Sequence, residues 1–186
     1  HRYLGVDHGK EHFSVIQQAV NGEVPLQEDD AGQGEVLRRL DAHVRKEEVG
    51  GHGASYRTYV EHPDLAVAID VCHARTDDNL PTDRVNELGG GPVITIGTNS
   101  VPRFARRLIE IARAKDIPYQ LSAAPAHTGT NAWSMQIIEE GCATLVVSLP
   151  LKYMHSPVEV IKMSDVENVG RLMAELAMDI DGRWQL

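Results

Sequence analysis

Cysteine is scarce in this chain of 186 residues. Only Cys72 and Cys142 are present, which is no disulfide framework and points to a reducing, cytoplasmic setting. Clustered positive charge is also lacking. Against 27 Asp and Glu stand 18 Lys and Arg, for a formal net charge of −9. That balance argues against a nucleic-acid partner, because phosphate binding needs concentrated lysine and arginine. No apolar run is long enough to span a bilayer and no signal peptide is evident, so no membrane association is expected. Internal repeats, low-complexity tracts and tail-like compositions are absent as well. What remains, 42% hydrophobic and 24% charged residues, is enough to bury the core of one ordinary domain. The chain opens on His1 rather than Met, as a processed or excised piece would.

From residue 29 onward, helical and strand patterns alternate. Residues 34–44 carry Val36, Leu37, Leu40 and Val44 at helical spacing. Residues 65–71 form a short, nearly continuous apolar run typical of a buried strand, and residues 92–96 form another after Gly89-Gly90-Gly91. Residues 101–115 read as an amphipathic helix through Phe104, Leu108, Ile111 and Ala112. Its other face holds Arg103, Arg106, Arg107 and Arg113, a solvated or paired surface rather than a nucleic-acid groove. A strand is expected at 117–121, a helix at 131–140 stopping at Gly141, and strands at 143–149 and 158–163. Ser164 opens a final helix, with Glu167 at capping-box spacing. Residues 13–20 could form a further strand before the Asn21-Gly22 turn. Strands separated by helices of these lengths imply one α/β domain over residues 1–186. Its mostly parallel mixed sheet would be flanked by helices in three layers. Chemistry in such sheets collects at strand ends.

Three acidic centres and a late histidine fall beside apolar runs or glycine turns: Asp29-Asp30, Glu47-Glu48, Asp70 and His155. Hydrolysis at a pair of divalent metals needs such a set, with carboxylates and imidazoles as ligands and one spare carboxylate to move the proton. Adjacent glutamates can divide that labour, since neighbouring side chains in an extended segment point different ways. Each residue also has a plainer role. Asp29-Asp30 could cap the helix that follows, and Glu47-Glu48 could belong to a charged surface run with Lys46. The glycines at 50, 51 and 53 speak against that run, because such a turn lets backbone approach a site closely. Asp70 interrupts a buried apolar run, where a lone carboxylate would cost roughly several kcal/mol unless a cation were near. His155 alone would be a turn residue before Pro157. Cys72 and His73 look like soft ligands, but strand alternation keeps all three of residues 70, 72 and 73 from reaching one ion.

Taken in order, these pieces resemble the M42 family of metallo-aminopeptidases, which includes the glutamyl and tetrahedral aminopeptidases. The matching stretches are Asp29-Asp30-Ala31-Gly32, Glu47-Glu48-Val49-Gly50, Ala68-Ile69-Asp70-Val71, Gly91-Pro92-Val93-Ile94-Thr95-Ile96-Gly97, Ile117-Pro118-Tyr119-Gln120, and residues 148–160 around Tyr153-Met154-His155-Ser156-Pro157. They run from about residue 29 to about residue 177, and residues 1–28 match poorly. The resemblance implies a zinc-exopeptidase-like fold and an aminopeptidase, in which water between two divalent ions, Zn or Co, loses its proton to Glu47. It further implies that Asp29 bridges the metals, that Glu48 and Asp70 complete their shells, and that His155 is the late imidazole ligand. The early histidine of the family corresponds to His8, with peptide as substrate and a homo-oligomer as the assembled form.

The resemblance also marks departures. The family's His-x-Asp-Glu stands here as His8-Gly9-Lys10-Glu11, with Lys10 where a carboxylate would orient the ligating histidine. The family's Gly-Thr-Asp-Ala stands as Gly129-Thr130-Asn131-Ala132. Between His8 and Asp29 there is no room for the family's inserted β domain, and the segment that precedes the early histidine is missing. The chain therefore corresponds to a catalytic lobe. Two other readings stand beside hydrolysis of peptides. One is a non-catalytic or metal-deficient lobe of the same fold, acting in assembly or binding. The other is a glycosidase, whose two acids must flank a sugar, an arrangement that adjacent glutamates do not provide.

Overall fold

The computed structural model describes residues 50–83 and 85–180. The expected helix at 34–44 and strand at 13–20 lie outside them. In chain order the elements are α1 (His52–Glu61), β1 (Leu65–His73), β2 (Val93–Gly97), α2 (Pro102–Ala114), β3 (Gln120–Ala124), α3 (Ala132–Gln136), β4 (Ala143–Leu151) and α4 (Met163–Asp179). The four strands form one sheet in the order β1-β4-β2-β3. β1 and β4 pair in parallel, as do β2 and β3, while β2 and β4 run antiparallel. The sheet is thus mixed but mostly parallel, as the sequence leads one to expect.

Helices cover both faces. β4 lies inside the sheet, and its Leu145, Val146 and Val147 are at most 1% exposed, which is why it reads as an unbroken apolar run. Leu145 and Val147 join Ile94, Leu108, Leu172 and Leu176 beneath α2 and α4. Val146 turns the other way and packs with Ala66, Ala68, Ala54, Ala132 and Met135 under α1 and α3. α2 begins on Pro102 at its first helical position, where the missing N–H costs nothing, and buries Phe104, Leu108, Ile111 and Ala112 as their spacing dictates. Its arginines stay outside. Arg107 reaches Asp179 at the end of α4 and Glu110 on its own helix, and Arg113 donates to the Tyr119 hydroxyl at 2.8 Å.

Four local expectations need correction. Residues 158–163 form no strand. Val160 makes only an isolated bridge to Lys152, because both edges of β4 are already taken by β1 and β2. α4 starts at Met163 with Lys162 at its cap and no side-chain cap bond, so the Ser164 capping box is not made. α3 ends at Gln136, short of the expected 140, and the Gly141 N–H closes a turn on the Ile138 carbonyl at 2.8 Å. β3 begins at Gln120 rather than 117, because buried Ile117 still belongs to the end of α2, its N–H bonded to the Ala112 carbonyl at 2.9 Å. α1 is unanticipated: it buries only Ala54 and Thr58, a stripe too narrow to register as periodicity.

Candidate active site

Alternation along β1 sends Ala66 and Ala68 into the cluster under α1 and α3, and Asp70, two residues on, falls on the same face. Asp70 is half-buried there and its Oδ1 accepts the Val71 N–H at 2.7 Å. Its neighbour on β4 is buried Ser148. Two and four residues past Leu151, the last residue of β4, the chain turns through Tyr153 and His155, both at φ 62°. The His155 N–H donates to Glu159 Oε1 at 2.7 Å and the Ser156 hydroxyl to the Val158 carbonyl at 2.8 Å. His155 itself is exposed. Because β1 and β4 are parallel and in register from Leu65↔Ala143 to His73↔Leu151, the strand that carries Asp70 and the loop that carries His155 finish at one end of the sheet.

β2 is antiparallel to β4, so the glycine turn that leads into it lies at this end as well. Its anchor is Asp165, fully buried in the first turn of α4, whose carboxylate oxygens accept the Gly89 N–H at 2.7 Å and the Gly91 N–H at 2.9 Å. Gly91 sits at φ 86°, and a Cβ there would come within 2.0 Å of the Pro118 carbonyl oxygen. No other residue type fits.

α1 comes to the same place from below. Residues 62–64 return the chain from α1 into β1. Ten helical residues span about 15 Å, close to the rise of about 16 Å from Leu65 to Asp70, so the start of α1 reaches the level of Asp70. Gly51 caps it at φ 65°. Its carbonyl accepts the Ser55 N–H at 3.0 Å and the Ser55 hydroxyl at 3.2 Å. A Cβ on Gly51 would stand 2.7 Å from Ser134 Oγ and 3.0 Å from Asn131 Oδ1. The Gly129–Ala132 turn is therefore packed directly on the residue that closes Glu47-Glu48-Val49-Gly50-Gly51. Asn131 Oδ1 is buried with no hydrogen-bond partner among the described residues.

That turn is held from behind by Asn99, which no motif in the sequence singles out. Asn99 is fully buried. Its Oδ1 accepts the Thr128 N–H at 2.6 Å and the Thr128 hydroxyl at 3.1 Å, and its Nδ2 donates to Gln136 Oε1 at 2.8 Å. The partners are 29 and 37 residues away, so no local pattern announces them.

Of the expected site residues, His8, Asp29, Glu47 and Glu48 lie outside the described residues, while Asp70 and His155 lie within them. Among the described residues no three of His, Cys, Asp and Glu come together to hold a metal ion. Asp70 and His155 can supply two donors, a carboxylate and an imidazole, of kinds that suit zinc or cobalt. Cys72 is a poor third: burial pushes its thiol up to about 11, with the Asn86 amide at 3.3 Å opposing that shift and the Asp70 charge adding to it.

The layered α/β fold is an architecture this chain shares with solved aminopeptidases. It belongs to the M42 glutamyl aminopeptidase family, whose sequence model matches residues 36–172. It is 38% identical over 138 residues to the lysyl aminopeptidase of Pyrococcus furiosus, covering 73% of this chain and 39% of that protein. The solved aminopeptidase APDkam598 of Desulfurococcus kamchatkensis superposes with a TM-score of 0.70 at 35% identity, over 76% of this chain and 41% of the other. The TET1 peptidase of Pyrococcus horikoshii, which can assemble into a tetrahedron or a large octahedral shell, superposes at 0.57 with 30% identity, over 74% and 40%. The chain thus spans about two fifths of the length of these relatives.

Proposed function

We propose that this chain is the catalytic domain of a metal-dependent aminopeptidase that removes N-terminal residues from peptides. The observation that carries the proposal is the shared sheet end of Asp70 and His155 in a chain of this family. Glu47 and Glu48 precede Gly50, the residue before the Gly51 cap of α1, by only three and two residues in the sequence.

In this reading Asp29, Glu48, Asp70 and His155, with His8, would hold two divalent ions, zinc or cobalt. Such ions supply Lewis-acid polarisation of a carbonyl and lower the pKa of water. Glu47 takes the proton of the attacking water and returns it to the departing amine. The Asn131 and Ser134 side chains pack against Gly51, the cap of α1. The assembled form is a homo-oligomer, as in the TET1 relative.

The test is direct. The purified chain should contain divalent metal by elemental analysis and release p-nitroaniline from aminoacyl-p-nitroanilides, but not from their N-acetylated forms. Metal without turnover would leave a binding lobe, and neither would sink the proposal.

A further inference from the structure

A cavity of about 400 Å³ opens at the opposite end of the sheet from Asp70 and His155, a volume within the range of ligand pockets. Cys142 and Ala143 lie where β4 begins, and Pro63 and Asp64 directly precede β1. Val101 and Arg103 bring in the start of α2, where the Val101 N–H donates to the Thr144 carbonyl at 2.9 Å. The remaining wall is the turn from Ile138 to Gly141. These walls are fixed to one another. The Cys142 thiol donates to the Pro63 carbonyl at 3.3 Å, and His62 Nδ1 lies 2.8 Å from Glu139 Oε2. His62 and Glu139 both hold left-handed backbone, at φ 45° and 50°, a conformation that residues with a Cβ rarely adopt.

The lining is apolar at Val101, Ile138 and Ala143 and charged around them. Arg103 belongs to the α2 wall, Asp64 and Glu140 to the other two, and none of the three has an ion-pair partner among the described residues. The chain leaves α4 close by. Ile180, the residue after α4, packs on the same apolar cluster as Leu65 and Ala143. Beside it, Asp179 is paired with Arg107, and Arg103 lies one turn, about 6 Å, before Arg107 on the same face of α2. The sequence continues as Asp181-Gly182-Arg183-Trp184-Gln185-Leu186. From Ile180 to Trp184, four extended residues reach up to about 14 Å.

We propose that residues 181–186 occupy this cavity and tie the end of α4 to the start of β1 and β4. Trp184 lies on Val101, Ile138 and Ala143, Arg183 beside the carboxylates of Asp64 and Glu140, and Asp181 beside Arg103. Charge complementarity favours this segment over other occupants. Leaving Ile180, it presents a carboxylate, a guanidinium and an indole in turn, and the cavity offers a guanidinium, two carboxylates and an apolar floor. An indole suits that floor because it is a large and rigid apolar surface. The inference is independent of any chemistry at the other end of the sheet.

The experiment is acrylamide quenching of Trp184 fluorescence in the full chain. Trp133 and Trp184 are the two tryptophans. Trp133→Phe, at a position 43% exposed on α3, leaves Trp184 as the one reporter, and the difference between the wild type and Trp184→Phe gives the same signal with Trp133 in place. Trp184 should emit at shorter wavelength than N-acetyltryptophanamide and be quenched less steeply. Arg183→Glu should raise the unseated fraction at least about twofold, as loss of one exposed ion pair allows. Adding Asp64→Lys and Glu140→Lys, both at exposed positions, should restore the protection, and melting temperatures verify that each variant folds. Quenching as steep as that of the free amide, no response to Arg183→Glu, or no recovery in the charge-swapped chain would each overturn the inference. So would protection that grows with protein concentration, which would place residues 181–186 of one copy in the cavity of another.

Discussion

Asp165 shows how much of this site depends on residues that touch no substrate. Its carboxylate satisfies two backbone N–H groups of the glycine turn from 74 and 76 residues away. Asp165→Ala would leave both donors buried without a partner, at about 1–3 kcal/mol each. A shift of the urea midpoint equivalent to about 2–6 kcal/mol is expected, and a change under about 0.5 kcal/mol would mean that water replaces the carboxylate. Glu47 makes the contrasting case. Glu47→Gln keeps shape and loses basicity, so turnover should fall by about 10²–10⁴-fold with the metal content unchanged, whereas Glu48→Gln should lose metal too. Near-normal turnover of the Glu47 variant would refute its role as base. Cys142 gives a third readout. Burial pushes its thiol up to about 11, with a backbone bond at Ala66 opposing the shift and the Asp64 charge adding to it. At pH 8 roughly one molecule in a thousand is thiolate. Disulfide reagents should therefore modify Cys142 slowly in the native protein and quickly after unfolding, and equal rates would contradict its burial beside Pro63, whose carbonyl accepts the Cys142 thiol at 3.3 Å.

Elements whose signals are local were legible in the sequence. α2 declares itself through Pro102 and the spacing of Phe104, Leu108 and Ile111, and β1 and β4 through apolar runs. What failed to show was whatever depends on neighbours. The run at 158–163 looks like a strand but finds no free edge on β4, so Val158 and Met163 stay 69% and 63% exposed. Asp70 and His155 were readable as polar residues near strand ends, yet their meeting at one sheet end follows from the parallel pairing of β1 with β4, which no local pattern encodes. Asp165, Asn99 and the cavity before β1 and β4 stayed hidden for the same reason. Stability should follow these packing relations. Leu172→Ala, at a fully buried position between α4 and the sheet, should cost about 2–5 kcal/mol. Gly91→Ala should cost more than about 2 kcal/mol, because it combines a left-handed backbone with a carbonyl 2.0 Å away. Tyr56→Ala, on the exposed side of α1 at 65%, should stay within about 0.5 kcal/mol. Denaturant titration of the three variants checks the order, and a large loss at Tyr56 would show that α1 docks against something further.

On the scale of the whole molecule, the proposed metal centre joins segments that are far apart in sequence. His8, Asp29 and Glu48 precede α1, Asp70 lies on β1 and His155 follows β4. A ligand that binds only when these segments are assembled must stabilise the assembled chain by mass action. Zinc at about 100 times its dissociation constant should add about 2.7 kcal/mol, visible as a higher melting temperature that chelation reverses. Asp70→Asn and His155→Ala should melt close to the metal-free wild type and lose most of that gain, because each removes a donor and leaves the apolar clusters beneath α2 and α4 intact. Lys10 offers a graded control. In the sequence it takes the position at which the family carries a carboxylate that orients the ligating histidine, and on the proposed reading its ammonium would repel a dication held by His8. Lys10→Asp should therefore raise zinc affinity and enlarge the thermal shift, with the melting temperature of the metal-free protein little changed. A wild type whose melting is indifferent to zinc would mean that the five donors never converge. A zinc response that survives both Asp70→Asn and His155→Ala would place the ion elsewhere on the chain.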